Sequence, residues 1–263
     1  MEQYQRVALL GGVYNNYLAL QQLLKTCARI GVDAVFCLGD IGGFGPHPGR
    51  CFPLLREGRV LTVAGNYDIS LAQGEEDCGC GYTDPRDNYF AQVSYDYTFA
   101  HTSDENKTWM KTLPPQRRFL LGKLRVLLCH GSPRRTNEFL WESSSPDHLL
   151  EKFATDYEAD VVCCTHTGVK WHRTLPQDRH FLNVGVIGRP ENDGQPQVWF
   201  AVLDHDGGRF RCRFHPLEYD HERLAAEMKQ EGLPEEFAAT ILTGWWTTCL
   251  EIMPAKERSR GKF

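Results

Sequence analysis

Asp40, Asn66, His130 and His166 each follow a short apolar run that reads as a β-strand: Ala34 to Leu38, Val60 to Val63, Leu124 to Cys129 and Val161 to Cys164. A carboxylate, an amide oxygen and two imidazoles form a mixed oxygen and nitrogen set. Such a set suits zinc, manganese or iron better than a thiolate-selecting site does. In an α/β sheet, the loops at the carboxyl ends of the strands gather at one crevice, so four residues from four loops can meet there. Singly, each has a plainer reading: an Asp after a Gly is a turn residue, and an isolated His is a satisfied polar group. Four in equivalent positions point to a site.

The elements that must position them alternate along the chain. Arg6 to Leu10 is a buried strand. A helix follows, with Leu20, Leu23, Leu24, Cys27 and Ile30 on one face, Asn15 or Asn16 as its cap and Gly31 as its stop. Glycine-rich loops at 39–46 and 65–68 end the second and third strands. Residues 69–115 are polar and aromatic and read as a helical and loop insertion or cap, with a helix over Ser103 to Lys111. Leu120 and Leu121 turn through Gly122 and Lys123 into the strand that ends at Cys129. Helices are expected over Pro146 to Tyr157, His221 to Gln230 and Pro234 to Ile241. Antiparallel strands are expected at Phe181 to Val186, Gln197 to Leu203 and Phe210 to Phe214. The pattern predicts one domain over residues 1–243 and an extension over 244–263.

Composition narrows the function. The chain has 263 residues and a net charge of −5, a balance that argues against general nucleic-acid binding. No apolar stretch approaches the roughly 20 residues that span a bilayer, and the first residues carry no signal-peptide pattern, so a cytoplasmic location without membrane contact is expected. Ten cysteines are present. Most lie in apolar runs, where a free thiol acts as a small hydrophobe, and a disulfide framework is not expected. Cys78-Gly79-Cys80 and Cys163-Cys164 stay open as metal or redox features.

The motifs resemble a family. Gly39-Asp40 with its glycine-rich continuation resembles the Gly-Asp signature of calcineurin-like metallophosphoesterases, and Gly65-Asn66-Tyr67-Asp68 their Gly-Asn-His-Asp. His130-Gly131 is similar to the family's His-Gly motif, and Thr165-His166-Thr167-Gly168 to its Gly-His-Thr-His. The run Asn183 to Pro190 is similar to a strand and turn of the small bacterial phosphodiesterase branch, and Tyr219-Asp220 before a helix fits that branch too. The resemblance runs in order from about residue 6 to 243. It implies an α/β (α+β) fold, a two-sheet β-sandwich flanked by helices, with the metal loops at one edge.

The departures from the pattern sort by metal site. Gly12 and Tyr14 stand where the family's first motif has Asp and His, and Gly168 stands where its last motif has a second His. Three of the four ligands implied for one metal are therefore missing. All four implied for the other remain: Asp40, Asn66, His130 and His166. One metal ion is expected, or two if the second uses different ligands, with Tyr14, His172, Cys163 and Cys164 as the alternatives. Tyr67 replaces the His that assists the leaving group. With Asp40 and Arg134 it makes up the expected catalytic set, and Arg134 and Arg135 are expected to grip a phosphate.

Three functions compete. The first is a metal-dependent phosphodiesterase or phosphatase that uses manganese, iron or zinc on a small nucleotide or phosphorylated metabolite. The second is a non-catalytic member of the same fold that binds a ligand or partner. The third is an enzyme with altered metal chemistry. The segment Asp77 to Asn88 reads as a substrate-facing cap or a cysteine metal site. The aromatic residues Tyr89 to Phe99 pack the insertion or stack a base. Trp245 and Trp246 suggest docking of the extension onto the body or onto a second subunit.

Overall fold

The computed structural model, which describes residues 1–259, resolves the alternating pattern into two stacked sheets. The first sheet contains β2 (Arg6–Leu10), β3 (Ala34–Cys37), β4 (Leu61–Thr62), β10 (Val198–Asp206) and β11 (Arg209–Leu217), in the order β11-β10-β2-β3-β4. The second contains β1 (Gln3–Tyr4), β5 (Arg117–Leu121), β6 (Leu124–Leu128), β7 (Val161–Cys164), β8 (Trp171–Leu175) and β9 (Arg179–Asn183), in the order β1-β5-β6-β7-β9-β8. Strands β2, β3 and β4 run parallel, as do β6, β7 and β9, so their carboxyl ends open in common directions.

Both faces of the central strands are covered, which explains their uninterrupted apolar runs. In β2, Val7 and Leu9 pack between the sheets with Leu38, Val126, Leu128 and Val161. Ala8 and Leu10 face the opposite way, onto the helical layer. Phe36 and Phe119 stack at 4.7 Å between ring centroids and tie one sheet to the other.

Helices α1 (Tyr17–Ile30), α2 (Cys51–Glu57) and α3 (Asn66–Gln73) follow β2, β3 and β4. Asn16 caps α1, its side-chain oxygen accepting the Ala19 N–H at 3.0 Å, and Gly31 ends it in a left-handed conformation. Helices α4 (Pro85–His101) and α5 (Asp104–Met110) form the insertion, and α6 (Asp147–Asp156) covers the second sheet. Helices α7 (His221–Gln230), α8 (Glu235–Thr243) and α9 (Ala255–Arg258) close the described chain.

Several elements were not legible in the sequence, among them β1, α2, α4 and β8. The stripe by which α4 packs includes Ser94 and Thr98 beside Phe90, Ala91 and Tyr95, so polar residues break its apolar period. Strand β8 is an edge strand with a mixed burial pattern. Cys78 and Cys80, which the sequence leaves open as a metal or redox feature, form a disulfide; the other eight cysteines are free, and seven of them are buried.

The described part of the extension docks on its own chain. The Trp246 backbone N–H donates to Asn192 Oδ1 at 2.9 Å, and its indole N–H donates to the Pro190 carbonyl at 2.6 Å. Asp87 Oδ2 accepts the Ile252 N–H, and Glu257 accepts the Ser143 N–H. Residues 260–263 of the expected extension, Arg260 and Lys262 among them, lie outside the described residues. No helix among the described residues is long and apolar enough to cross a membrane.

Candidate metal centre

The four strand-end residues reach one end of the sandwich. Asp40 follows β3 in a left-handed conformation (φ 57°), and His166 follows β7 in the same region (φ 68°). Asn66 opens α3 and His130 follows β6. Gly65 has to be glycine here, because a Cβ on it would lie 2.2 Å from Asp40 Oδ1. That close approach lets Asp40 Oδ1 accept the Tyr67 N–H at 3.1 Å. Asp68 holds the arrangement together: its buried carboxylate accepts the N–H groups of Gly65, Asp40 and Ile41 at 2.8, 2.8 and 3.0 Å.

Asp40, His130 and His166 each present one ligand atom, and these atoms lie within 4.8 Å of one another, all buried. His130 Nδ1 is 2.6 Å from the Leu38 carbonyl. A carbonyl only accepts, so Nδ1 carries a proton and the ring is oriented through it, as in metal-binding histidines. Its Nε2 then faces Asp40 Oδ2 at 3.1 Å and His166 Nδ1 at 3.2 Å. Asn66 Nδ2 donates to the Cys78 carbonyl at 2.8 Å, which fixes the amide and leaves its Oδ1 buried without a hydrogen-bond partner.

The electrostatics follow from burial and proximity. Burial opposes ionisation of Asp40, but neighbouring His130 outweighs it and holds the carboxyl below the usual carboxylate range. Burial likewise disfavours a charged His130, yet Asp40 raises its pKa. His166 is pushed down to about 3, first by burial and then by His130, and is neutral at physiological pH. A neutral imidazole and a carboxylate–imidazole pair that converge, with an unsatisfied amide oxygen at the start of α3, match the donor set of a divalent transition metal.

The surrounding cavity is small, about 50 Å³, and is walled by Tyr14, Phe44, Tyr67, Tyr82, Arg189 and Cys249 beside Asp40 and His166. Tyr14 lies where a side chain on residue 12 would point. A Cβ on Gly168 would be 3.3 Å from the Trp246 indole. The Tyr67 hydroxyl donates to Ser94 Oγ at 3.0 Å, away from the ligand atoms.

Other expected site residues lie elsewhere. Arg134 does not line the cavity: it is paired with Glu138 and packs over Phe153, while Arg135 donates to Asn137 at 2.8 Å. His172 sits on β8 against His180 and Phe210. Cys163 and Cys164 are fully buried in β7, and burial pushes both thiols far up. None of these five residues lines the cavity beside Asp40 and His166. Arg189, Tyr82, Cys249 and Asp68 were not singled out. Arg189 and Asp68 lie inside motifs whose order was read, but their roles depend on contacts between loops far apart in sequence.

Comparison with known proteins agrees with this architecture. Over 252 residues the chain is 24% identical to the uncharacterised protein MJ0912 of Methanocaldococcus jannaschii, covering 90% of this chain and 98% of that one. The crystal structure of a metallophosphoesterase from Sphaerobacter thermophilus is similar, with a TM-score of 0.69 and 26% identity, covering 92% of this chain and 99% of that one. The hypothetical protein PH1004 of Pyrococcus horikoshii OT3 shares the fold, with a TM-score of 0.75, 20% identity and coverage of 93% and 100%. The profile of the calcineurin-like phosphoesterase superfamily domain matches residues 6–208. That match takes in strands β2 to β10 and all four strand-end loops, and the chain therefore belongs to the calcineurin-like phosphoesterase superfamily.

Proposed function

We propose that this protein is a metal-dependent phosphoesterase acting on a small phosphorylated substrate, with one metal ion held by Asp40, Asn66, His130 and His166. The observation that carries the reading is the convergence of the Asp40, His130 and His166 ligand atoms within 4.8 Å, beside the unpartnered Asn66 oxygen. The chemistry a manganese, iron or zinc ion supplies in such a site is polarisation of a phosphoryl oxygen and a lowered pKa for water.

The protein's own groups do the rest. The Leu38 carbonyl orients His130, and Asp68 locks the loop that carries Asp40. The cavity lining is largely aromatic, and such low-polarity walls strengthen the charge interactions inside. The first family site has lost three ligands, and Tyr14 and Trp246 occupy the space beside Gly12 and Gly168. This supports a single-ion centre over a two-metal clamp.

A cavity of about 50 Å³ is far below the roughly 300–1,000 Å³ of typical ligand pockets. That closure favours one alternative, a member of the fold that binds a small ligand without hydrolysing it. Metal analysis after loading with manganese, iron or zinc, followed by a chromogenic phosphoester panel with wild type and His130→Ala, decides between the two. Hydrolysis lost in His130→Ala is expected. Metal bound without turnover on any phosphoester would select the binding reading, and activity unchanged in His130→Ala would refute the site.

A further inference from the structure

The cavity holds one fixed cation that no metal ligand accounts for. Arg189, in the turn after β9, is 7% exposed and is the only lysine or arginine buried among the described residues. Its guanidinium lies 3.5 Å from the centroid of the Trp246 ring and 5.9 Å from those of Tyr14 and Phe44. Among the described residues no carboxylate pairs with it, and its Nε is buried without a hydrogen-bond partner. Its polar neighbours are Cys249, with which it shares a hydrogen bond, Tyr82 and Tyr14; burial raises the pKa of each and keeps it neutral, so none is a counter-charge. The carboxylate in the cavity wall, Asp40, is already engaged by His130.

A guanidinium does not shed its proton to escape burial. A buried charge without a counter-charge costs several kcal/mol, and proteins tolerate such a cost mainly at functional sites. Arg189 shares the cavity with Asp40 and His166 and rests against the two aromatic residues that fill the space beside Gly12 and Gly168.

We propose that Arg189 is an anion-binding and specificity-determining residue: its planar fork takes oxygens of a phosphoryl head group whose other oxygens face Asp40 and His166 across the cavity. A side-chain cation thus supplies positive charge where the family motif lacks ligands for a second ion. The free guanidinium nitrogen matches the bidentate geometry by which arginine holds phosphate. The small volume restricts the enclosed part of the ligand to that head group. This inference rests on the phosphoesterase reading for the identity of the anion, but not for its existence.

The test is calorimetric titration of inorganic phosphate and of methylphosphonate into the full-length protein, both metal-stripped and manganese-loaded. Wild type, Arg189→Met, Arg189→Lys and His130→Ala are compared, with near-UV circular dichroism as the check on folding. Wild type is expected to bind both anions, and folded Arg189→Met to lose about tenfold or more in affinity in both metal states. Arg189→Lys, which keeps the charge but not the fork, is expected to lose about threefold or more even if Arg189→Met does not fold. Phosphate affinity unchanged in either folded variant, or no phosphate binding by wild type, overturns the proposal. Exclusion of methylphosphonate overturns the assignment to a substrate head group. Arg189-dependent phosphate binding in a protein that takes up no metal supports the anion site and removes the metal reading. Metal held through His130 with Arg189-independent phosphate affinity does the reverse.

Discussion

The ring of Tyr14 is wedged between Gly12 and Gly188: a Cβ on Gly12 would lie 2.4 Å from Tyr14 Cε1, and a Cβ on Gly188 would lie 2.4 Å from Tyr14 Cβ. A side chain at position 12 and the Tyr14 ring thus compete for one volume. Gly12→Asp alone is expected to destabilise the fold by about 1–3 kcal/mol through overpacking. Adding Tyr14→Ala is expected to restore part of that loss, a coupling that urea denaturation of the two single variants and the double variant measures directly. Additive losses would show that the ring does not fill the space.

The unpartnered oxygen of Asn66 gives a second prediction. Asn66→Ala removes a ligand atom and is expected to weaken manganese binding about tenfold or more, some 1.4 kcal/mol. Saturating manganese at about 100 times its Kd is expected to stabilise wild type by about 2.7 kcal/mol, and chelation to reverse this. Thermal melts with and without chelator read both effects. An Asn66→Ala variant with wild-type metal affinity would remove Asn66 from the ligand set.

Tyr67 was expected to assist the leaving group, but its hydroxyl is committed to Ser94. Burial pushes its pKa far up, so it holds its proton tightly. Tyr67→Phe is accordingly expected to cost about 1 kcal/mol of stability through the lost hydrogen bond. Turnover should stay within about threefold of wild type, since no proton transfer by Tyr67 is lost. A fall in turnover of two orders of magnitude with an intact fold would return Tyr67 to the catalytic set.

His172 sets part of the acid limit of the fold. Burial, and then His180 at 3.2 Å, push its pKa down to about 4. Unfolded histidine takes a proton near pH 6.5, so between about 6.5 and 4 the unfolded chain binds more protons than the folded one. The contribution of His172 is therefore present above pH 6.5 and lost as the pH falls towards 4. His172→Gln is expected to make the stability-against-pH curve shallower in that window by up to about one proton, measured by denaturant titration at stepped pH. An unchanged slope would refute this.

Trp246 is 4% exposed and holds the extension to the turn before it through Pro190 and Asn192. Trp246→Ala is expected to cost about 3–5 kcal/mol, as for other buried aromatic truncations. A loss below about 1 kcal/mol in a calorimetric melt would mean that the extension contributes little to the fold.

Much of this architecture could be read from the sequence because its signals are local. The apolar runs of β2, β3, β6 and β7, the Asn16 cap and the Gly31 stop depend on neighbours a few residues away. The convergence of Asp40, His130 and His166 was legible for a related reason: parallel strands bring their carboxyl ends together regardless of loop detail. Arg189 and Cys249 reach the same cavity from distant segments, and no periodicity encodes that meeting. Arg134 points elsewhere because adjacency to His130 in sequence does not imply a shared direction, and Glu138, four residues on in the same loop, offers a partner.

The order of the chain has a consequence for assembly. Among the described residues, all eleven strands and every proposed metal ligand precede residue 218, whereas Trp246 and Cys249, which line or support the cavity, come after α8. A nascent chain emerging from the ribosome can therefore stack its sheets and bring its metal ligands together before the wall beside Arg189 exists. Completion of the cavity wall therefore waits for residues 246–249, and until they are in place the guanidinium lacks the cover of Trp246.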